Sequence, residues 1–364
     1  MSNLDYRETL DNIKPYIPGK AIELVRKELG IDDVVKMASN ENPLGSSVKF
    51  SDLESAFEKV QYYPYVDYDT PLIKKLSAKY QVNPAQIILG NGSDEIFEFI
   101  VKTFLNPGEE VLASQYTYAE YPFVTYLMDG RYVEAPMKSY GHDLAVMLDY
   151  INEKTKIVFI ANPNNPTGNI VTQSELTKFM SKVPKNVIVV LDEAYGEFVS
   201  DNEYPDTVGL LRKYPNLIKM RTFSKIYGLA GLRVGYALAQ ENTIALMMKV
   251  KQPFNVHSMA LKAAELALDN VSHINKTLEL NENGKVYIYS ELDKLGLEYI
   301  RTEANFICIF LPCEGRQVHE FLLKKGVIIR NLESFGLKNA VRVTIDFPKN
   351  NERFILGLKE FFKV

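Results

Sequence analysis

The chain has 364 residues, of which 46% are hydrophobic and 24% are charged. These fractions are ordinary for a soluble globular protein, and they exclude disordered, collagen-like and disulfide-scaffold classes. Lysine and arginine number 42 against 46 aspartates and glutamates, so the basic excess of a nucleic-acid binder is absent. The chain has no tryptophan, so any ring that stacks on a ligand must belong to Tyr, Phe or His.

The sequence carries no signal for a membrane or for secretion. It has no run of 18 apolar residues, and its polar N-terminus lacks the apolar core of a signal peptide. Its two cysteines, Cys308 and Cys313, are too few for a disulfide framework, and we expect them to have packing roles. We therefore expect a cytoplasmic protein that binds neither a membrane nor nucleic acid.

Short apolar runs alternate with helical patterns between about residues 69 and 240. Several runs are rich in β-branched residues and end at Gly, Pro, Asn or Asp, which is typical of buried strands in a parallel or mixed sheet. Two helices are predicted between them, over 93–104 and 172–181. This alternation predicts an α/β layered domain with ligands at the carboxyl ends of its strands. The predicted strands are 86–90, 110–114, 156–162, 186–192, 217–222 and 234–239.

The last third of the chain has a different pattern, which predicts a smaller α+β domain. A long helical region over 255–293 is split near residues 270–272, and a further helix is predicted over 315–325. These patterns predict that the whole chain divides into three parts. The parts are an N-terminal arm and lead-in segment over 1–45, a large α/β domain over 46–254 and a small α+β domain over 255–364. The predicted strands of the small domain are 299–300, 306–311, 327–330 and 340–345.

Four motifs between residues 162 and 235 carry the chemistry. Three of them follow directly on a predicted strand, so they meet at one edge of the sheet. Each motif alone is a weak signal, since Asn-Asn-Pro-Thr-Gly is first of all a turn and a Ser-Lys pair is usually solvated. The motifs are NPNNPTG at 162–168, LDEAY at 191–195, RTFSK at 221–225 and GLAGLRVG at 228–235.

Together the motifs fit the needs of pyridoxal phosphate. A lysine amine can form a Schiff base with its aldehyde, and a carboxylate can hold its ring nitrogen in the protonated form. Its phenolic oxygen needs polar donors, and its phosphate needs helix N-terminal amides, hydroxyls and an arginine. The chain offers, in that order, Lys225, Asp192, Asn165 with Tyr195, and Arg233.

Rival cofactors have less support in the sequence. The segment Gly90-Asn-Gly92 follows a predicted strand but lacks the third glycine of a dinucleotide fingerprint, and no phosphate-binding GxxxxGK[ST] loop occurs. The four histidines are far apart and lack the spacing of metal ligands, so we expect no metal site.

The sequence resembles the fold-type I pyridoxal-phosphate aminotransferases, and among them the histidinol-phosphate aminotransferases. Beyond the four motifs, the resemblance rests on ASNENPLG at 38–45, Tyr62-Tyr63-Pro64, GNGSDE at 90–95 and the late arginines Arg330 and Arg342, and it covers essentially the whole chain. It implies an α/β fold, in which a large domain with a mostly parallel, seven-stranded sheet flanked by helices is joined to a smaller α+β domain.

The resemblance also implies roles for individual residues around the cofactor. Lys225 binds it covalently and later moves a proton between the substrate and the cofactor, and Asp192 pairs with the ring nitrogen. Asn165 and Tyr195 donate to the phenolic oxygen, and Tyr118 stacks on the ring. The phosphate is held by Gly92, Ser93, Asp94, Thr222, Ser224 and Arg233, joined by Tyr63 of the neighbouring subunit in a homodimer.

For the substrate, the resemblance points to Arg342, whose guanidinium suits carboxylate and phosphate alike. Arg330, Tyr16 and Asn40 are further candidates for the same pocket. Structural alternatives stay open for two of these, because Arg330 also suits an ion pair and Tyr16 a packed residue of the arm.

Two departures from the family pattern lie near these arginines. Asp346-Phe347-Pro348 follows the strand of Arg342 where a Gly and a small polar residue are common, and Asn331 follows Arg330 where Pro or Gly is common. Both departures bear on the substrate and leave the cofactor residues untouched.

The leading hypothesis is transamination of L-histidinol phosphate with 2-oxoglutarate in histidine biosynthesis. The alternatives are an aromatic or broad-specificity aminotransferase, and an enzyme similar to threonine-phosphate decarboxylase. A non-catalytic regulator on this fold is a fourth reading, but such a protein is expected to carry a DNA-binding domain and to have lost the lysine, whereas Lys225 is present.

Overall fold

The chain folds around a seven-stranded sheet with helices on both faces. The structure is a computed structural model that describes residues 5–13 and 19–364. The strands in these ranges are β1 Val35–Lys36, β2 Ile87–Gly90, β3 Glu110–Ser114, β4 Arg131–Ala135, β5 Thr155–Ala161, β6 Ile188–Asp192, β7 Leu217–Thr222, β8 Gly235–Leu238, β9 Phe306–Phe310, β10 Val327–Ile328, β11 Arg330–Asn331 and β12 Ala340–Thr344. The helices are α1 Ile22–Leu29, α2 Glu54–Phe57, α3 Pro71–Tyr80, α4 Gly92–Phe104, α5 Glu120–Leu127, α6 Leu144–Asp149, α7 Gln173–Met180, α8 Thr207–Lys213, α9 Glu241–Met247, α10 Ser258–Ala267, α11 Val271–Leu295, α12 Gly315–Lys324 and α13 Pro348–Phe362.

The large sheet has the strand order β2-β8-β7-β6-β5-β3-β4. β8 runs antiparallel to both of its neighbours, while the other neighbouring pairs are parallel. The predicted fold class is thereby confirmed, and each of the six strands predicted between residues 86 and 239 is present. The sequence missed β4, an edge strand whose residues are mostly exposed or half-buried. An edge strand packs less apolar surface, so its run RYVEA lacks the continuous apolar pattern of its neighbours.

Two apolar cores lie on the two faces of this sheet, because successive side chains of a strand point to opposite faces. In β5, Val158 and Ile160 belong to the core that includes helices α3, α7 and α10. Ile157 and Phe159, which alternate with them, belong to the core that includes α4, α5 and α9. This double burial explains why the central strands have near-continuous apolar sequences.

The last third of the chain forms a second, three-stranded antiparallel sheet of order β11-β12-β9. Helices α11, α12 and α13 pack on it around their own core. The predicted break in the long helical region lies at Asn270, whose side chain accepts the amide of His273 and caps α11. At the predicted strand 299–300 the structure has an isolated antiparallel bridge between Tyr299 and Ile309 of β9, which is too short to form a strand.

One predicted strand, 327–330, divides between two sheets. Its first half is β10, which pairs with β1, and its second half is β11, which pairs with β12. The pairing of β1 with β10 ties residues near the N-terminus to the C-terminal third, and Val25, Val34 and Ala38 pack against Ile328. The domain bounds at residues 45 and 254 stay predictions. Of the residues described, none form a helix long and apolar enough to cross a membrane.

Candidate active site

The carboxyl ends of five strands, β2, β3, β5, β6 and β7, bring most of the predicted residues to one edge of the large sheet. There they line a cavity of about 680 Å³ that the second sheet closes from the other side. A cavity of this size suits a cofactor and a small substrate. The predicted residues that line it are Asn40, Ser93, Asp94, Tyr118, Asn165, Asp192, Tyr195, Thr222, Ser224, Lys225, Arg233, Arg330 and Arg342.

Three predicted residues are not among those lining residues. Gly92 lies one residue before Ser93, at the start of α4. Tyr63 is 79% exposed and stacks on Phe254, with ring centroids 4.7 Å apart. Tyr16 lies outside the described residues, so its predicted role stays a prediction.

Lys225 follows β7 by three residues, in a loop that holds its amine inside the cavity. The amine donates to the carbonyl oxygen of Ser39 at 3.1 Å and lies 5.6 Å from the centre of the Tyr195 ring. A primary amine presented to a cavity in this way can attack a carbonyl carbon.

Asp192 ends β6 as a buried carboxylate with two donors. Tyr121 donates its hydroxyl to Oδ2 at 2.9 Å, and the amide of Ala194 donates to Oδ1 at 3.1 Å. Burial raises the pKa of Asp192 to about 6, although both hydrogen bonds act to lower it. A buried carboxylate of this kind is suited to pair with a cationic nitrogen in the cavity. The contact of Tyr121 with Asp192 was not predicted from the sequence. Tyr121 lies in the first turn of α5, three residues after the predicted stacking residue Tyr118.

Arg233 lies beside the N-terminus of α4. The guanidinium donates to Asp94 Oδ2 at 2.9 Å and to the carbonyl of Ala230 at 3.2 Å. Gly92 has a φ of +82°, and a Cβ built there would lie 2.3 Å from Arg233 Nη2. Glycine at this position therefore leaves room for the guanidinium beside the first turn of α4. Helix N-terminal amides and an arginine are the donors that a phosphate needs.

Two arginines of the three-stranded sheet, Arg342 and Arg330, line the cavity opposite the large sheet. Arg342 lies on β12, and its Nη1 donates a hydrogen bond to Asn165 Oδ1. Its Nη2 donates a hydrogen bond to the carbonyl oxygen of Ala38 at 2.8 Å. Arg330 pairs opposite Arg342 in the strand register, and its guanidinium carbon lies 5.9 Å from the centre of the Phe335 ring. The two arginines thus line the cavity from the same small sheet, which suits a substrate that carries an anionic group.

Asn40 lines the cavity and makes a contact that was not predicted from the sequence. Its side-chain amide donates to the hydroxyl of Tyr195 at 2.8 Å. The amide is therefore engaged with a predicted cofactor residue, although Asn40 also lines the cavity.

A buried ion network lies behind the cavity, and sequence analysis missed it. Glu193 is fully buried and accepts from Lys219 at 2.8 Å and from Arg221 at 2.8 Å, while Arg221 also pairs with Glu197 at 3.0 Å. Burial alone would raise the pKa of Glu193, but the charges of Lys219 and Arg221 hold it below its ordinary value. The sequence does contain an indication of this network, because two cationic residues occupy alternate positions of the buried strand LIKMRT and need anionic partners.

Fold and site together define the class: an α/β protein with a mixed seven-stranded sheet, and with a lysine amine and a buried carboxylate in the cavity at one edge of that sheet. The sequence pattern of Aminotransferase class I and II matches residues 32–355. The chain belongs to this family and is an aminotransferase.

Individual relatives are similar along almost the whole chain. A histidinol-phosphate aminotransferase of Moorella thermoacetica is 45% identical, over 97% of this chain and 92% of the relative. Histidinol-phosphate aminotransferase 2 of Carboxydothermus hydrogenoformans is 43% identical, over 98% and 99%. The solved histidinol-phosphate aminotransferase of Sinorhizobium meliloti, in complex with pyridoxal-5'-phosphate, matches with a TM-score of 0.88 and 24% identity, over 100% of this chain and 99% of that one. These findings confirm the family resemblance inferred from the motifs.

Proposed function

We propose that the protein transfers the amino group between L-histidinol phosphate and 2-oxoglutarate, with pyridoxal phosphate as cofactor, in histidine biosynthesis. The observation that carries this proposal is the 45% identity, over almost the full length, to a histidinol-phosphate aminotransferase. The cavity supports it, since it combines a lysine amine with two separate sets of anion-binding groups.

The residues of the cavity fit pyridoxal phosphate in the chemistry of their donors. Lys225 would hold its aldehyde carbon, and the buried Asp192 would hold its ring nitrogen protonated. Asn165 and Tyr195 would serve its phenolic oxygen, and the ring of Tyr118 would cover it. The cradle that a Cβ at Gly92 would fill suits its phosphate, with the predicted partners Ser93, Asp94, Thr222, Ser224 and Arg233.

The chemistry supplied by pyridoxal phosphate is that of an electron sink, which makes the proton on the substrate carbon removable. The protein's own part is to hold and move protons. Lys225 would take the proton from the substrate Cα and return it to the neighbouring cofactor carbon, because its amine lies in the cavity and an amine in its neutral form is a general base. Asp192 would keep the ring nitrogen protonated throughout, since its carboxylate is buried away from water.

Substrate binding is proposed for Arg342 and Arg330, together with Asn40, which lines the same cavity. The predicted role of Tyr16 belongs to the same proposal, although Tyr16 lies outside the described residues. Both arginines suit the phosphate of one substrate and the carboxylate of the other. Asp346, which begins the first departure, is not among the residues that line the cavity, and its carboxylate accepts the amide of Phe347 and the side chain of Asn350 at the start of α13. The second departure, at Asn331, begins a turn whose residues 333–335 line the cavity.

We also infer a cytoplasmic homodimer in which Tyr63 reaches the cofactor phosphate of the partner subunit. The support is a set of strongly exposed aromatic side chains in which Tyr63 is the most exposed at 79%. Exposed apolar surface of this kind is typical of a subunit interface. The set, called the aromatic surface below, comprises Phe50, Phe57, Tyr62, Tyr63, Tyr65 and Phe254.

The proposed substrate is tested by comparing kcat/KM for L-histidinol phosphate, phenylalanine, tyrosine and aspartate, each with 2-oxoglutarate. We expect a preference of at least about 100-fold for histidinol phosphate, because the three amino acids lack the phosphate group, and a site built to bind a polar substrate group discriminates strongly against analogues without it. Lys225→Ala is the control and should show no turnover. A faster reaction with an aromatic amino acid would favour the aromatic aminotransferase, and release of carbon dioxide from threonine phosphate would favour the decarboxylase.

A further inference from the structure

Three consecutive residues, 38–40, each contact a different residue of the cavity. These residues form a turn that follows β1, and their partners come from the middle of β12 and from the loops after β6 and β7. One short turn thereby connects three separate parts of the site. The contacts are the Ala38 carbonyl with Arg342 Nη2 at 2.8 Å, the Ser39 carbonyl with Lys225 Nζ at 3.1 Å, and Asn40 Nδ2 with Tyr195 Oη at 2.8 Å.

Asn40 holds this turn in an unusual backbone conformation. Its φ is +55°, in the left-handed region that asparagine tolerates better than most residues with a side chain. It is 1% exposed, and its backbone groups are paired with side chains of the last third of the chain. Its amide donates to Thr344 Oγ1 at 2.9 Å, and its carbonyl accepts from Asn305 Nδ2 at 3.1 Å.

These contacts fix which end of the Asn40 side chain faces Tyr195. The hydroxyl of Thr344 accepts the backbone amide of Asn40, so its own proton is free to go to Asn40 Oδ1, which lies 3.2 Å away. The NH₂ end of the side chain must then point to Tyr195 and donate to its hydroxyl oxygen. With that lone pair occupied, the hydroxyl proton of Tyr195 is directed elsewhere, and Tyr195 lines the cavity.

We propose that Asn40 is a positioning residue that directs the hydroxyl proton of Tyr195 to the phenolic oxygen of the cofactor. This inference rests on the proposed function, because it assumes that Tyr195 serves pyridoxal phosphate. A donor on the phenolic oxygen disperses its negative charge, and that charge otherwise stabilises a proton on the nitrogen of Lys225. Losing the aligned donor therefore makes that proton harder to remove.

The test is the pH midpoint of the visible absorbance change of the yellow holoenzyme. Asn40→Gly keeps a residue that adopts positive φ but removes the amide, and we expect the midpoint to rise by roughly half a pH unit. Asn40→Asp keeps the shape but replaces the donor by an acceptor that draws the Tyr195 proton to itself, so its midpoint should rise further. This second variant also tests the idea if Asn40→Gly does not fold.

The control is a cycle with Tyr195→Phe. In that background Asn40→Gly should leave the midpoint unchanged, because the hydroxyl that Asn40 directs is gone. Asn305→Ala removes a contact to the same turn without touching Tyr195, and it should lower the melting temperature without moving the midpoint.

Equal midpoints for the parent enzyme and both Asn40 variants would overturn the inference, as would a shift of the same size in the Tyr195→Phe background. A parent protein that takes up no pyridoxal phosphate would overturn the proposed function together with it. A parent that is yellow and active while its Asn40 variants keep the parent midpoint would overturn the role of Asn40 alone.

Discussion

The buried carboxylate of Asp192 lowers the free energy of unfolding of the cofactor-free protein when it is ionised. Its ordinary pKa of 3.8 rises to about 6 in the folded protein because the carboxylate is buried. The folded chain therefore binds a proton that the unfolded chain has already released between these two pH values. Stability consequently falls as the pH rises from about 4 to about 6, and the loss is complete above pH 6. In the holoenzyme, the protonated ring nitrogen of the cofactor would compensate this buried negative charge.

We expect Asp192→Asn to make the cofactor-free protein more stable at pH 7.5 and to leave it unchanged near pH 4. The change removes a buried negative charge, whose shifted pKa corresponds to about 3 kcal/mol, and the Tyr121 hydroxyl can accept from the new amide. Urea unfolding of both cofactor-free proteins at the two pH values measures the difference.

Added pyridoxal phosphate should reverse the order, because only the parent carboxylate pairs with the ring nitrogen. A variant that is less stable than the parent at pH 7.5 without cofactor would contradict this account of Asp192.

At the scale of elements, β6 and β7 are joined by charge as well as by their backbone ladder. Leu191 pairs with Lys219 in the strand register, and the side chains of Lys219 and Arg221 lie on one face, where Glu193 meets both. The network includes Glu193, which directly follows Asp192, and Arg221, which precedes the loop that carries Lys225. Its charges are buried, so each depends on the others for compensation.

We expect Glu193→Gln to destabilise the protein by about 3–5 kcal/mol, because it leaves two buried cations with less compensation. The matched control is Glu98→Gln, which breaks the half-exposed pair with Lys102 and should cost less than about 0.5 kcal/mol. Urea unfolding of the three proteins gives both numbers. Equal costs for the two variants would show that the buried network contributes no more than a surface pair.

The elements show what the sequence predicts and what it does not. Strands such as β5 were predictable because burial on both faces demands a continuous apolar run, whereas the edge strand β4 lacks that demand. The motifs predicted most of the residues around the cavity, because the carboxyl ends of parallel strands meet at one edge. Contacts between distant residues were not predictable. Asn40 is 155 positions from Tyr195, and no local pattern indicates that they meet.

For the whole molecule, the aromatic surface is difficult to explain in a single chain. Phe50, Tyr62, Tyr63 and Tyr65 each expose about two thirds or more of their area, which is costly in water for so many neighbours in sequence. Pairing with a second copy removes that cost, and a two-fold symmetric dimer lets each copy lend the same residue to its partner. In such a dimer, each proposed active site would combine the cavity of one chain with Tyr63 from the other chain.

Shared sites predict that two defective variants restore each other's activity. Lys225→Ala loses turnover, and Tyr63→Ala should lose affinity for pyridoxal phosphate. When the two are mixed under conditions of subunit exchange, half of the dimers are hybrids. Each hybrid contains one complete site, made of Lys225 from one chain and Tyr63 from the other. At limiting cofactor we expect about a quarter of the parent activity, since about one site in four is complete.

The matched control for this mixing experiment pairs Lys225→Ala with a chain that carries both changes, a combination in which no site is complete. It should stay inactive under identical conditions. If the first mixture were no more active than the sum of its separate components, while sedimentation still showed dimers that exchange subunits, Tyr63 would act within its own chain. That position would conflict with its 79% exposure and its stacking on Phe254, outside the lining of its own cavity. Restored activity would therefore place the phosphate end of each cofactor site at the contact between the two subunits.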